Sequence, residues 1–218
     1  MLAIMANVKR TTSSRKPSRA EKAQQTRLRM TRAAYELFVE RGYPATTMTE
    51  VAEAAGVAVQ TLYFTFGTKA QLLQRAYEYA VLGEGNDVPP EQQPWYAEMS
   101  NADRLDDALR ILVQNVAAVL ARTAPLDEYV RAASFDAEPA RVRNFNENLR
   151  RQSWADMIDR LGTKFGLTPG LNPRRAADIL MVLMSPATYQ TFVGQYHWSS
   201  EDWQNWCTAA ITCQLFAQ

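Results

Sequence analysis

Apolar residues recur at intervals of three, four and seven through nearly the whole chain, and nowhere do they alternate with polar ones over a strand's length. The pattern predicts an all-α protein. A first helix over 18–42 carries Met30, Ala33, Ala34, Leu37 and Phe38 on its inward stripe and stops at Gly42. The segment TTMTEVAEAAGVAVQTLYFTFGTK then reads as two short helices about a glycine turn and the start of another. Thr47 to Glu50 form a T-x-x-E capping box that starts a helix at Met48, with Val51, Ala54 and Ala55 on its buried side. Gly56 supplies the left-handed backbone of a tight turn. Beyond it Val57 and Leu62 are expected inward, and Val59, Gln60 and Tyr63 outward. A second box, T-x-x-Q from Thr68 to Gln71, opens a fourth helix over 69–82 with Leu72, Leu73 and Ala76 facing the same core.

Residues 83–102, beginning GEGNDVPPEQQPWY, are rich in turn formers and predict a linker loop, with Trp95 and Tyr96 packing it back on the body. From residue 103 helical spacing resumes. Leu105, Leu109, Leu112, Val116 and Leu120 predict a helix ending near Arg122, and Pro125 a separate short helix to Phe135. A helix from about Pro139 is stopped by Gly166; Asn172 and Pro173 cap the next, which Pro186 kinks or ends, with a helical piece to about Gln195. Ser199 and Ser200 are cap candidates for a last helix. Its residues, with those of the helix before it, supply Met181, Met184, Tyr189, Phe192, Trp203, Trp206, Ile211 and Leu215, more apolar surface than one helix pair hides.

Charge is unevenly divided. The formal total is +1, yet residues 1–35 hold nine Lys or Arg against Glu21 alone, and the remainder carries −7. A basic arm on an acidic body points to a polyanionic partner, because each phosphate contact releases counterions. Residues 1–18 are expected to be disordered without it. The cation Lys69, in the first turn of a helix, opposes the helix dipole, whereas a phosphate there would meet both free N–H groups and the ammonium. No run reaches the ~18 apolar residues of a membrane span, and no targeting segment is expected. Cys207 and Cys213 point about 240° apart on one helix, so they are expected as buried, reduced thiols of a cytoplasmic protein. No phosphate-cradling loop, nucleophile elbow or zinc-binding H-E-x-x-H is present, and His197 is the only histidine. Neither catalysis nor a cofactor or metal is expected.

The run TRAAYELFVERGYPATTMTEVAEAAGV followed by TLYFTFGTKAQLL resembles the DNA-binding domain of the TetR family of transcriptional regulators. Gly42, Thr47, Ala52, Gly56, Val57, Thr61, Leu62, Tyr63, Phe66 and Lys69 sit at the family's spacing, while Ala58, Gln60 and Thr65 depart from it. The resemblance implies a disordered basic arm over 1–18, a helix-turn-helix domain over 19–82, a linker over 83–102, and a helical ligand-binding and dimerisation domain over 103–218. It implies a homodimeric regulator, most often a repressor, that reads a palindromic double-stranded operator and answers to a small apolar effector. Val59, Gln60, Thr61 and Tyr63 would approach bases and backbone, and Gln60 suits adenine. Thr47, Thr49, Thr65 and Lys69 would hold phosphates, with the arm from Arg15 to Arg19 adding nonspecific contacts. Tyr129, Phe135, Trp154, Met157, Met181 and Met184 are the candidate lining of a ligand pocket. Two other readings stand beside this one: a helical small-molecule binder or enzyme with a vestigial DNA-binding head, and a nonspecific architectural DNA binder.

Overall fold

The computed structural model describes residues 18–84, 88–133 and 135–216, and these form ten α-helices with no strand among them. The basic arm expected over 1–18, with Arg15, lies outside the described residues apart from Ser18. Helix α1 (Arg19–Ala45) begins on a capping box between Ser18 and Glu21 and is interrupted at Gly42, whose φ of 82° and ψ of 162° only glycine adopts readily. Tyr129 occupies the space where a side chain at residue 42 would begin, with its Cδ1 3.0 Å away. Both constraints select glycine there. Helices α2 (Met48–Ala55), α3 (Val59–Phe66) and α4 (Lys69–Leu82) complete a small domain. Its core holds Met30, Ala34, Phe38, Val51, Leu62, Leu72 and Leu73, and is closed by Leu126 and Val130 of α6 and Val142 of α7. Head and body thus share a core.

The larger part comprises α5 (Pro94–Asn101), α6 (Leu105–Ala132), α7 (Ala137–Phe165), α8 (Pro173–Leu183), α9 (Pro186–Tyr189) and α10 (Ser200–Leu215). Alpha-9 continues into a π-helical stretch, Gln190–Gln195. The predicted linker loop is corrected in part: residues 94–101 form a helix, with Pro94 in its first turn and Met99 wholly buried. Trp95 and Tyr96 do pack against the main core. The predicted break at Arg122 is also corrected, because α6 runs unbroken through Pro125. Proline removes one amide donor there, but Ala124 and Leu126 on either side are buried, and their packing holds the helix together. Arg122 is internal, and its guanidinium donates to the carbonyls of Ala80 (2.8 Å) and Val81 (3.3 Å) at the C-terminal end of α4. A cation satisfying the last carbonyls of a helix is favourable on dipole grounds too.

Two further expectations fail on burial. Six of the eight residues read as surplus apolar surface on the last helices, all but Phe192 and Trp206, are buried within this one chain. Cys207 is buried as expected, but Cys213 is exposed. A shift of six residues turns the side chain about 120° around the helix, off its buried side.

Candidate nucleic-acid interface and internal cavity

The turn between α2 and α3 is built as its sequence predicts. Thr47 accepts from the amide of Glu50 (3.2 Å), and Glu50 accepts from the amide of Thr47 (2.8 Å). The Thr47 hydroxyl and then its amide, both donating to the Glu50 carboxylate, hold that carboxyl below its usual range. Gly56 takes φ 65° and ψ 43° and donates to the carbonyls of Ala52 and Glu53, which ends α2. Ala52 joins Met48, Val51 and Ala55 on the buried side. Ala54 was assigned to that side but is exposed, since it lies about 110° from the centre of the stripe.

Alpha-3 rests on Leu62 and Phe66, both buried. Gln60, Thr61 and Tyr63 are exposed, as expected. Val59 is not: it is partly buried against the small-domain core, being three residues before Leu62 and seven before Phe66 and therefore on their side. The outward place beside Gln60 belongs instead to Phe64, which is 94% exposed. The sequence carried that signal, because position 64 lies about 160° or more around the helix from the centre of the buried side.

The expected phosphate contacts divide. Thr49 is exposed in the first turn of α2. The Thr47 hydroxyl both donates to the Glu50 carboxylate (2.8 Å) and accepts its amide, so it is committed to the cap. The Thr65 hydroxyl donates to the Thr61 carbonyl (2.7 Å) within α3. Lys69 lies 4.3 Å from the centre of the Tyr43 ring and donates to the Pro44 carbonyl at 3.5 Å. Partial burial lowers its pKa, opposed by the nearby carboxylates of Asp136, Glu50 and Glu138. Thr47, Thr65 and Lys69 thus each make contacts within the fold, while Thr49 of α2 and Gln60, Thr61, Tyr63 and Phe64 of α3 face solvent. Alpha-1 adds Arg19, Lys22, Arg27 and Arg29, all exposed and in none of the ion pairs formed among the described residues.

Behind this head lies a cavity of about 550 Å³ between α4, α5, α6 and α7. Trp154, Met157 and Met184 line it, as expected. Tyr129 is half-exposed against Gly42, Phe135 is fully exposed, and Met181 is buried in the core away from the cavity. Residues the sequence did not single out complete the lining: Tyr77, Glu78 and Val81 of α4, Asp127 of α6, and Arg143, Glu147 and Arg150 of α7. Tyr77 is 4% exposed and its hydroxyl donates to Asp127, 7% exposed, at 2.7 Å. Burial and the adjacent carboxylate push the Tyr77 phenol well above 10, so it stays a donor. Glu147 pairs with both neighbours on its helix, with Arg150 at 2.7 Å and Arg143 at 3.8 Å. Alpha-4 therefore has one end in the helix-turn-helix and one side in the cavity wall.

The relatives of this chain place the arrangement. Residues 31–76 match a family model described as bacterial regulatory proteins, tetR family. Over 54 residues the chain is 43% identical to the HTH-type transcriptional regulator TtgR of Pseudomonas putida, which is 25% of this chain and 26% of that protein. The chain thus matches about a quarter of that relative's length. Among solved structures it is similar to NalD, the secondary repressor of the MexAB-OprM multidrug efflux pump in Pseudomonas aeruginosa. The TM-score is 0.66 at 21% identity, over 90% of this chain and 99% of NalD. A protein of Saccharomonospora viridis assigned as a transcriptional regulator and solved in complex with choline gives a TM-score of 0.66 at 18% identity, over 90% and 100% of the two chains. At these identities the structural likeness establishes the fold alone. Residues 31–76 thus match the tetR family of bacterial regulatory proteins in sequence, and the whole course of the chain is similar in fold to NalD and the Saccharomonospora viridis protein.

Proposed function

We propose that this protein is a cytoplasmic, sequence-specific DNA-binding transcriptional regulator, a repressor that grips a palindromic operator as a two-fold dimer and releases it when a small apolar effector enters the cavity. The exposed edge of α3 carries this reading. Gln60, Thr61, Tyr63 and Phe64 face solvent on a helix whose other side is fixed by Leu62 and Phe66, as a major-groove reading helix requires. Gln60 can bond the N6/N7 edge of adenine in a bidentate way, and Phe64 can meet a thymine methyl group. The basic side chains of α1 would flank the backbone. A two-fold dimer would set two such helices about one DNA turn, ~34 Å, apart. NalD's description as a repressor and the choline bound to the Saccharomonospora viridis protein support the repressor and effector parts.

An effector relieves repression only if it binds the non-gripping state more tightly, since equal affinity for both states shifts nothing. The wall shared by α4 and the cavity supports such a difference, because Tyr77 and Glu78 belong to the helix that leaves the DNA-binding head. The test is a gel shift on the DNA upstream of the gene, with competitor DNA in excess. Binding should resist the competitor. Gln60→Ala should relax discrimination at one base position by about 1–3 kcal/mol, and Phe64→Ala should weaken specific binding without unfolding the head. Binding that follows salt alone, with both variants indistinguishable from wild type, would remove α3 from the interface.

A further inference from the structure

Among the described residues, five buried side-chain polar atoms find no hydrogen-bond partner, and three of them belong to residues lining the cavity: Arg143 Nε, Arg150 Nη1 and Trp154 Nε1. All three are donors. Their residues fall at i, i+7 and i+11 along α7, within about 40° of one another around the helix, so they share one face. Trp154 is 5% exposed, and an unpaired N–H in that position is costly unless something accepts it.

Charge points the same way. The two guanidinium groups share the carboxylate of Glu147, so these three side chains carry a net positive charge on α7, facing the buried carboxylate of Asp127 on α6. Asp127, the other buried carboxylate of the wall, takes the Tyr77 hydroxyl and forms an ion pair with neither arginine. Of the remaining acidic lining, Glu78 is paired with Arg75, while Glu91 and Asp156 are exposed. The inner face of α7 is therefore the cationic side of the wall, with three donors left open on it. The rest of the wall suits a flat apolar body, since the aromatic residues Tyr77, Trp95, Tyr96 and Trp154 line it.

We propose that the cavity is a site for an aromatic carboxylate, its carboxyl group held by Arg143, Arg150 and the Trp154 indole N–H, and its rings lying among the aromatic walls. The proposal rests on the reading of this cavity as the effector site and adds the ligand's chemical class to it. A carboxylate offers two acceptor oxygens and one negative charge, which suits the unpaired donors and the cationic face of α7. A neutral isostere supplies acceptors without the charge, and an ammonium supplies neither.

Calorimetric titration of the full-length protein with biphenyl-4-carboxylate, biphenyl-4-carboxamide and biphenyl-4-methylammonium tests it. The carboxylate should bind at least tenfold more tightly than the amide, and the ammonium should not compete. Arg150→Met should abolish the preference for the carboxylate over the amide. Trp154→Phe, which removes the N–H and keeps an aromatic ring, should weaken carboxylate binding severalfold, and it serves even if the arginine variant fails to fold. Equal binding of carboxylate and amide, a preference for the ammonium, or no binding of any probe overturns the proposal. A gel shift run with the same probes separates the two readings. DNA binding without carboxylate preference sinks the ligand class and spares the regulator. Carboxylate preference without any effect on DNA sinks the effector role and spares the site.

Discussion

Among single residues, Tyr77 connects the two halves of the molecule. Its ring belongs to the small-domain core, and its hydroxyl is the hydrogen-bond partner of a carboxylate on α6 in the cavity wall. Tyr77→Phe leaves Asp127 buried without that donor and should lower stability by about 1–3 kcal/mol, read as a lower urea midpoint. The two cysteines should also differ. Burial pushes the Cys207 thiol up from 9.0 to about 12, while Cys213 is exposed. A disulfide reagent at about pH 8 should label one thiol in the native protein and two after unfolding. The pH dependence has a definite sign. The folded thiol holds its proton after the unfolded one has lost it, so this stability is complete below about 9 and is lost as pH rises toward 12. Tyr43, also raised to about 12, acts in the same direction. Urea midpoints should fall over that range, and less so in Cys207→Ala.

Of the four helices of the head, α3 is the least supported by its own sequence, the other three each starting on a capping box. It has eight residues, no side-chain cap at Ala58, and rests on two buried side chains. An isolated helix that short does not persist in water, so its order comes from packing against α2 and α4. Ala58 already has the extended backbone of a cap residue, φ −69° and ψ 144°, and Ala58→Ser should add a hydrogen bond to an open amide of the first turn. The expected gain is about 0.5–2 kcal/mol, visible as a higher Tm. Alpha-6 shows the converse. Pro125 weakens it locally, yet its buried face between the two cores carries it through.

For the protein entire, the proposed dimer needs a face, and six of the eight large apolar side chains of the last helices are buried in the protomer. What α8 and α10 turn outward is smaller: Val182, 67% exposed, with Ala209 and Cys213 exposed beside polar residues. Small side chains let helices of two copies approach closely, and a two-fold contact doubles each substitution. Val182→Glu should therefore yield monomers in sedimentation equilibrium and lose operator affinity together with the dimer. A dimer that survives this change would move the interface elsewhere.

The class of the fold, the register of the helix-turn-helix and most of the solvent-facing edge of α3 are legible in the residues alone. They rest on local rules: capping boxes at Thr47 and Thr68, the left-handed backbone at Gly56, and helical spacing of Leu62 and Phe66. Such signals act within a few residues, so they are complete in the chain. The course of α6 through Pro125, the helix over 94–101, the confinement of Lys69 over Tyr43, and the assembly of Tyr77, Asp127, Arg143 and Arg150 around one cavity came from long-range packing. Each depends on which neighbour, tens of residues away, fills the space or supplies the charge. Tyr77 and Asp127 are fifty positions apart, and only packing made them partners.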